Sequence, residues 1–172
     1  RYGTVNEKSK TTKKSYYTKF RIDFVNFLKK KKVNYVNTIL FNHDSRFRNT
    51  KFLLPRLINA IKNKDIKFIK EIFSNNLYGD FSHAEDICYG LYKIIETKKI
   101  IRNIILSSNK CISVNDLIKY ILKKNQINLS IDLKSKKKKL CLKGNNAYAK
   151  KTINWEPRKN IFSAIQEIYK SS

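Results

Sequence analysis

The residues best placed to do chemistry lie at the end of one β-rich run. VNYVNTILFN, residues 33–42, reads as a buried strand leading into Asn42, His43, Asp44 and Ser45. An amide, an imidazole, a carboxylate and a hydroxyl in succession put polar groups at the carboxyl edge of a sheet. In open α/β folds that edge is where ligands bind. Taken alone, His43 reads as an ordinary loop or capping histidine. Other chemistry is thinly represented. The sequence has four glycines, Gly3, Gly79, Gly90 and Gly144, and no G-x-G-x-x-G or G-x-x-G-x-x-G turn. No phosphate-cradling loop can be built from them, so this polypeptide alone is not expected to bind a dinucleotide well. Cys88, Cys111 and Cys141 are widely spaced, with no CxxC pair and no His at zinc spacing. They are expected to be buried free thiols, with neither a disulfide framework nor a metal site.

The elements that must position this edge alternate in type. Over residues 15–32, Tyr16, Phe20, Phe24, Phe27 and Leu28 recur at three and four, one face of a helix. Residues 52–64 read as a helix with Phe52, Leu53, Leu57, Ile58 and Ile61 inward, and residues 67–73, KFIKEIF, as a half-buried strand. Ser82 with Glu85 reads as a capping box opening a helix to about Lys98, and His83 and Asp86 are expected to fix its start. Residues 102–108 form a short strand, and Ser113 caps a helix to about Lys124 with Asp116 in its first turn. A further strand is expected at 128–133, and helices at 145–153 and 160–169 around the turn Trp155–Pro157, with Trp155 as a core anchor. This alternation is the signature of α/β architecture.

Composition sets outer bounds. The 172 residues, 41% hydrophobic, fit one domain with a real core. The balance of 38 Lys and Arg against 13 Asp and Glu, a formal charge of +25, normally suggests a polyanion partner. However, 31 of these cations are Lys and seven are Arg, and Asn and Ile are also abundant, as an AT-rich genome would produce. A protein selected to grip phosphates uses the planar fork of Arg more heavily. Nucleic acid is therefore not the expected partner, and the run Lys134–Lys139 is read as a solvated loop or edge. No apolar run approaches the roughly 18 residues of a membrane helix, and no signal peptide is visible. A cytoplasmic protein is expected. The chain contains no Met and opens on RYGTVNE, which reads as the middle of a domain and hence as a fragment.

Four segments, in order and at suitable spacing, resemble GDP-mannose 4,6-dehydratases. These belong to the extended short-chain dehydrogenase/reductase (NAD-dependent epimerase/dehydratase) family. YGTVNE, residues 2–7, resembles the segment just after the strand carrying that family's catalytic Thr and Glu. ILFNHDSRFR, residues 39–48, resembles ILFNHESPRR, the most specific match. GDFSHAEDICYGLYKII, residues 79–95, resembles RDWGHAKDYVEAMWLML, and LKGNNAYAKKTINWEP, residues 142–157, resembles the closing L-x-G-D-x-x-K-A-K-x-x-L-G-W-x-P. The resemblance implies the C-terminal part of that α/β fold: the last Rossmann strands plus the small substrate-binding subdomain. Residues 1–50 would end the cofactor domain with its catalytic helix and following strand. Residues 51–172 would be mainly substrate-binding, and the glycine-rich half is absent. The implied cofactor is NADP, or NAD, held mainly by the missing half. The implied substrate is a nucleotide sugar, GDP-mannose, and the intact parent is implied to be a homo-oligomer.

By the same resemblance, His43 and Arg48 contact NADP, Asn42 faces the sugar nucleotide, and Arg56 falls where a family Lys meets the nucleotide or its phosphates. The family's Tyr-x-x-x-Lys places both side chains on one helix face a turn apart. The Lys depresses the phenol pKa and holds the nicotinamide ribose, and the Tyr relays a proton. Lys19, with Asp23 four residues on, takes the Lys position. Ser15 then stands where Tyr belongs, and Tyr16 is an imperfect substitute. The family's Pro-rich lead-in is missing between Glu7 and Ser15, Gly79 replaces a phosphate-facing Arg, and the Lys run replaces R-P-x-E. The implied reaction moves hydride from C4 of the hexose, eliminates water across C5 and C6, and returns hydride to C6. The parent is thus expected to be a lyase and this chain alone inactive. The alternatives are a related epimerase or reductase, or a non-catalytic basic relic that binds RNA or a large complex.

Overall fold

The computed structural model describes residues 3–11, 15–129 and 141–171. The expected strand at 128–133 lies mostly outside these residues, and the run Lys134–Lys139 entirely so. The chain begins β1 (Gly3–Val5), α1 (Tyr16–Lys30), β2 (Asn37–Leu40) and β3 (Asn42–Asp44). Next come α2 (Leu53–Lys62), α3 (Ile66–Asn75), β4 (Tyr78–Gly79), β5 (Phe81–His83) and α4 (Ala84–Glu96). It continues with β6 (Asn103–Leu106), β7 (Ile112–Ser113), α5 (Val114–Lys124), β8 (Leu142–Gly144), α6 (Ala147–Ile153) and α7 (Ile161–Ser171).

Among the described residues the strands form two-stranded pairs. β2 lies parallel to β6, from Asn37 opposite Asn103 to Leu40 opposite Leu106. β3 lies parallel to β5, β1 parallel to β8, and β4 antiparallel to β7. The expected single strand at 33–42 is therefore two strands. β2 ends at Leu40, the chain turns at Phe41, and β3 pairs with a different partner. Alternation cannot reveal such a switch, because both pieces carry the same local pattern.

Two cores hold these elements. The larger packs α2, α3, α5 and α7 through Leu57, Ile58, Ile69, Ile118, Ile121 and Ile165, all fully buried. Truncating any of these to Ala costs roughly 2–5 kcal/mol. The smaller joins Ile87 of α4 to Ile104 and Leu106 of β6 and to Ile153 and Trp155. Trp155 is the expected core anchor: its Nε1 donates to the backbone oxygen of Asp86 at 2.8 Å. The Asp86 carboxylate accepts from the backbone of Arg158 and Lys159, at 3.1 and 2.8 Å, and so pins the turn after Trp155 to the start of α4.

Local capping explains where several elements start. Ser113 accepts from the Asn115 N–H at 3.1 Å, as expected for the cap of α5. The α4 cap is one residue later than expected. His83, not Ser82, accepts from the Glu85 N–H through Nδ1 at 3.1 Å, while its Nε2 donates to Glu167 at 3.2 Å. Ser82 is taken up in β5, opposite His43. The segment 67–73 is α3, not a strand. Asp65 caps it by accepting from Phe68 N at 3.0 Å, and Ile69, Ile72 and Phe73 line its buried face. A seven-residue apolar run fits either period, and the cap decided it. No helix of the described residues is long and apolar enough to cross a membrane.

The cysteines depart from expectation. Cys111 and Cys141 form a disulfide, with Cα atoms 5.9 Å apart across a sequence separation of 30, and Cys88 is exposed. Spacing along the chain carries no information about this pairing, because the fold brings the starts of β7 and β8 together. Closing a loop of 30 residues is worth about 3–4 kcal/mol on the chain-entropy account. Cys111→Ser is expected to lower the urea unfolding free energy by that order in oxidised protein. The same substitution should change nothing once both proteins are reduced with dithiothreitol.

Candidate ligand edge of the parallel strands

The polar edge is built by the switch from β2 to β3. Phe41 N donates to Leu106 O at 3.4 Å, the last bond that ties the chain to β6 before it crosses to β5. Alternation along β3 then sorts the side chains: Asn42 is exposed, His43 half-buried and Asp44 buried. Asn42 Nδ2 donates to the backbone oxygen of Asp80 at 3.1 Å. His43 Nδ1 donates to Phe41 O at 2.8 Å, so the other ring nitrogen remains as an acceptor in the neutral imidazole. A tight turn follows, with Arg48 N donating to Ser45 O at 3.0 Å, and returns the chain toward α2.

Arg48 lies over the Phe52 ring, its guanidinium carbon 3.6 Å from the centroid, and its buried Nε has no hydrogen-bond partner among the described residues. One carboxylate oxygen of the buried Asp44 is likewise unpartnered. Burial pushes the Asp44 pKa up, and the positive charge of Arg48 offsets part of that rise. Two unmatched polar atoms of opposite character beside an exposed edge suit a polar ligand, because an orphaned buried group costs about 1–3 kcal/mol.

Asp80 is the residue of this edge that the sequence reading missed. Its side chain is fully buried between β4 and β5. One oxygen accepts from Ser108 N at 2.9 Å and Ser108 Oγ at 2.6 Å, and the other accepts from Gly144 N at 3.0 Å. It thereby ties the exit of β6 and the end of β8 to the strand beside Asn42. Gly144 is required there, since a Cβ would stand 2.5 Å from Ser107 Oγ. Gly79 is also closed in, a Cβ meeting the Phe81 ring at 2.9 Å and the Asn42 amide at 3.1 Å. The position matching the family's phosphate-facing Arg therefore has no room for a side chain as packed. The signal available in the sequence was the match of Gly79–Asp80 to the family's R-D.

The remaining expected residues lie apart from this edge. Arg56, exposed on α2, stacks on the Phe68 ring at 4.4 Å. Ser15 is the N-cap of α1, in a reciprocal capping box with Thr18. Its hydroxyl is thus committed to the helix end. Tyr16, 93% exposed, and Lys19, also exposed, occupy the first turn and the one after. No hydrogen bond, ion pair or ring contact joins either to Asn42, His43 or Arg48. For a nicotinamide dinucleotide, the edge offers the orphaned Arg48 Nε and the free ring nitrogen of His43. It offers no glycine cradle for the diphosphate: Gly79, Gly90 and Gly144 all have protein atoms within 3 Å of where a Cβ would stand. Among the described residues no cluster of His, Cys, Asp and Glu could hold a metal ion.

Solved structures share this fold. RMD from Pseudomonas aeruginosa complexed with NADPH superposes with a TM-score of 0.79 at 13% identity, over 98% of this chain and 59% of that one. UDP-glucuronic acid 4-epimerase from Bacillus cereus in complex with NAD gives 0.76 at 17% identity, over 99% and 54%. dTDP-glucose 4,6-dehydratase from Bacillus anthracis in complex with NAD gives 0.72 at 13%, over 99% and 57%. The chain spans little more than half the length of these neighbours. The fold is that of the extended short-chain dehydrogenases that act as nucleotide-sugar epimerases and dehydratases. A model of the GDP-mannose 4,6 dehydratase family matches residues 14–168, and the chain belongs to that family. No curated protein matches the sequence.

The buried carboxylate makes a sharp expectation. Burial raises the Asp80 pKa above its ordinary 3.8, against the opposing hydrogen bonds from Ser108 and Gly144. A raised folded pKa contributes stability that is complete below the unfolded value and is lost as pH climbs through the folded one. The stability of the wild-type chain relative to Asp80→Asn should therefore fall as pH rises from about 3.5 toward neutrality. Melting temperatures across that range check this, and a constant difference would count against it.

Proposed function

We propose that this chain forms the substrate-side half of an NADP-dependent nucleotide-sugar 4,6-dehydratase. Its reaction would convert GDP-mannose to GDP-4-keto-6-deoxymannose. The observation that carries this reading is the edge at Asn42, His43 and Arg48. There a family-specific sequence coincides with a carboxyl-edge site that has unsatisfied polar atoms. Asn42 would present its amide oxygen to the sugar nucleotide, and Arg56 would meet its nucleotide or phosphates. His43, Arg48 and Lys19 would hold the cofactor, which supplies a hydride acceptor and donor when bound. Tyr16, three residues before Lys19 on α1, would move a proton to or from the C4 oxygen. The parent would work as a homo-oligomer in the cytoplasm.

A related epimerase or reductase on another nucleotide sugar is the second reading. The packing at Gly79 favours it, because the cation that the family aims at phosphate is absent and its place is closed. The protein containing this chain, supplied with GDP-mannose and NADP, should yield a 4-keto-6-deoxy product detectable by mass as the loss of one water. Lys19→Ala should reduce turnover by roughly a hundredfold or more, the usual scale for losing acid–base assistance. An epimer of unchanged mass, or turnover on a UDP-sugar alone, would select the second reading. No turnover on any nucleotide sugar would overturn both.

A further inference from the structure

A second polar concavity lies at the far end of the same strands. β2 and β6 run parallel, so their carboxyl ends reach the Asn42 edge and their first residues, Asn37 and Asn103, face the opposite way. There the last turn of α1, the connection to β2 and the start of β6 border an open concavity of about 460 Å³. Lys29, Lys32, Val33, Tyr35, Arg102 and Asn103 line it. The geometry points to a binding site in this concavity for a compact polyphosphate anion, the triphosphate of a nucleotide or free inorganic triphosphate.

Three of the six lining residues are cations and none is acidic, so the lining lacks a counter-charge of its own. Lys29 sits in the last turn of α1, where a cation also answers the helix dipole. Arg102 and Asn103 come from the other wall and have no such role. Arg102 is one of seven arginines in a chain whose cations are otherwise Lys, so compositional drift toward Lys does not account for it. Its guanidinium packs 5.6 Å from the Tyr35 ring and has no hydrogen-bond or ion-pair partner among the described residues, which leaves its N–H fork for an oxyanion. The Asn103 amide oxygen accepts from Asn37 Nδ2 at 2.9 Å, fixing the carboxamide and leaving its own N–H donors unspent. A concavity of this size falls within the range that holds small ligands. Tyr35 and Val33 supply the apolar wall that a nucleoside would need.

Calorimetric titration of the full chain with inorganic triphosphate tests this at about 150 mM salt, where exposed charges more than about 8 Å apart are largely screened. Saturable one-to-one binding is expected, weakened about tenfold or more by Arg102→Gln, as for loss of a charged hydrogen bond. Lys70→Gln, on the exposed side of α3, should leave it within about twofold. If Arg102→Gln fails to fold, the double change Lys29→Gln and Lys32→Gln should give the same loss. ATP binding more tightly than triphosphate would assign a nucleotide, and equal affinity would assign the free anion. Absence of saturable binding, equal weakening by Lys70→Gln, or displacement of triphosphate by GDP-mannose would overturn a second site, whatever the outcome at the Asn42 edge.

Discussion

The structure depends on one buried carboxylate. The strand pairs of the described residues share no continuous ladder, so their relative placement cannot come from backbone hydrogen bonds between strands alone. Asp80 supplies the missing link. It accepts two bonds from Ser108 and one from Gly144, and its backbone oxygen receives the Asn42 amide. A carboxylate without a cation is costly to bury, and hydrogen bonds to the charged form offset that cost. The result joins the exits of β6 and β8 to the edge beside β3. Of the residues proposed to touch ligand on that edge, Asn42 is bonded to this knot directly.

The rest of the proposed chemistry sits on a different kind of support. α1 buries no residue, and Tyr16, Phe20, Phe24 and Phe27 are each at least half exposed. Its apolar stripe therefore does not order Lys19 against the edge loop within this chain. The edge is built from paired strands, whereas the acid–base pair stands on a helix with no buried residue. Geometry for binding is consequently better developed here than geometry for proton transfer.

Much of this was legible in the sequence, and what was not has identifiable causes. α2, α5 and α7 were readable because their apolar faces repeat at helical spacing over ten or more residues. Trp155 was read as a core anchor and is fully buried, whereas Asp86, read as fixing the start of α4, instead holds the turn after Trp155 and leaves the cap to His83. α3 was missed because KFIKEIF satisfies both periods and its cap, Asp65, stands outside the window. The α4 cap shifted to His83 because the imidazole can both cap and reach Glu167 on α7, a contact between residues far apart in sequence. The Cys111–Cys141 pairing and the Asp80 knot are non-local in the same sense: nothing within ten residues of either announces the partner. The edge at Asn42 and His43 was found from a strand ending in polar residues. The switch of partners at Phe41 that creates it was not.

The most direct test is amide hydrogen exchange on the protein with GDP-mannose, in the presence and absence of NADP. If Asn42, His43 and Arg48 form a nucleotide-sugar edge joined through Asp80 to the exit of β6, both ligands together should slow exchange at residues 41–48 and 107–109. Free mannose should not. Unchanged exchange in both segments, or protection confined to the amino ends of β2 and β6, would contradict the account.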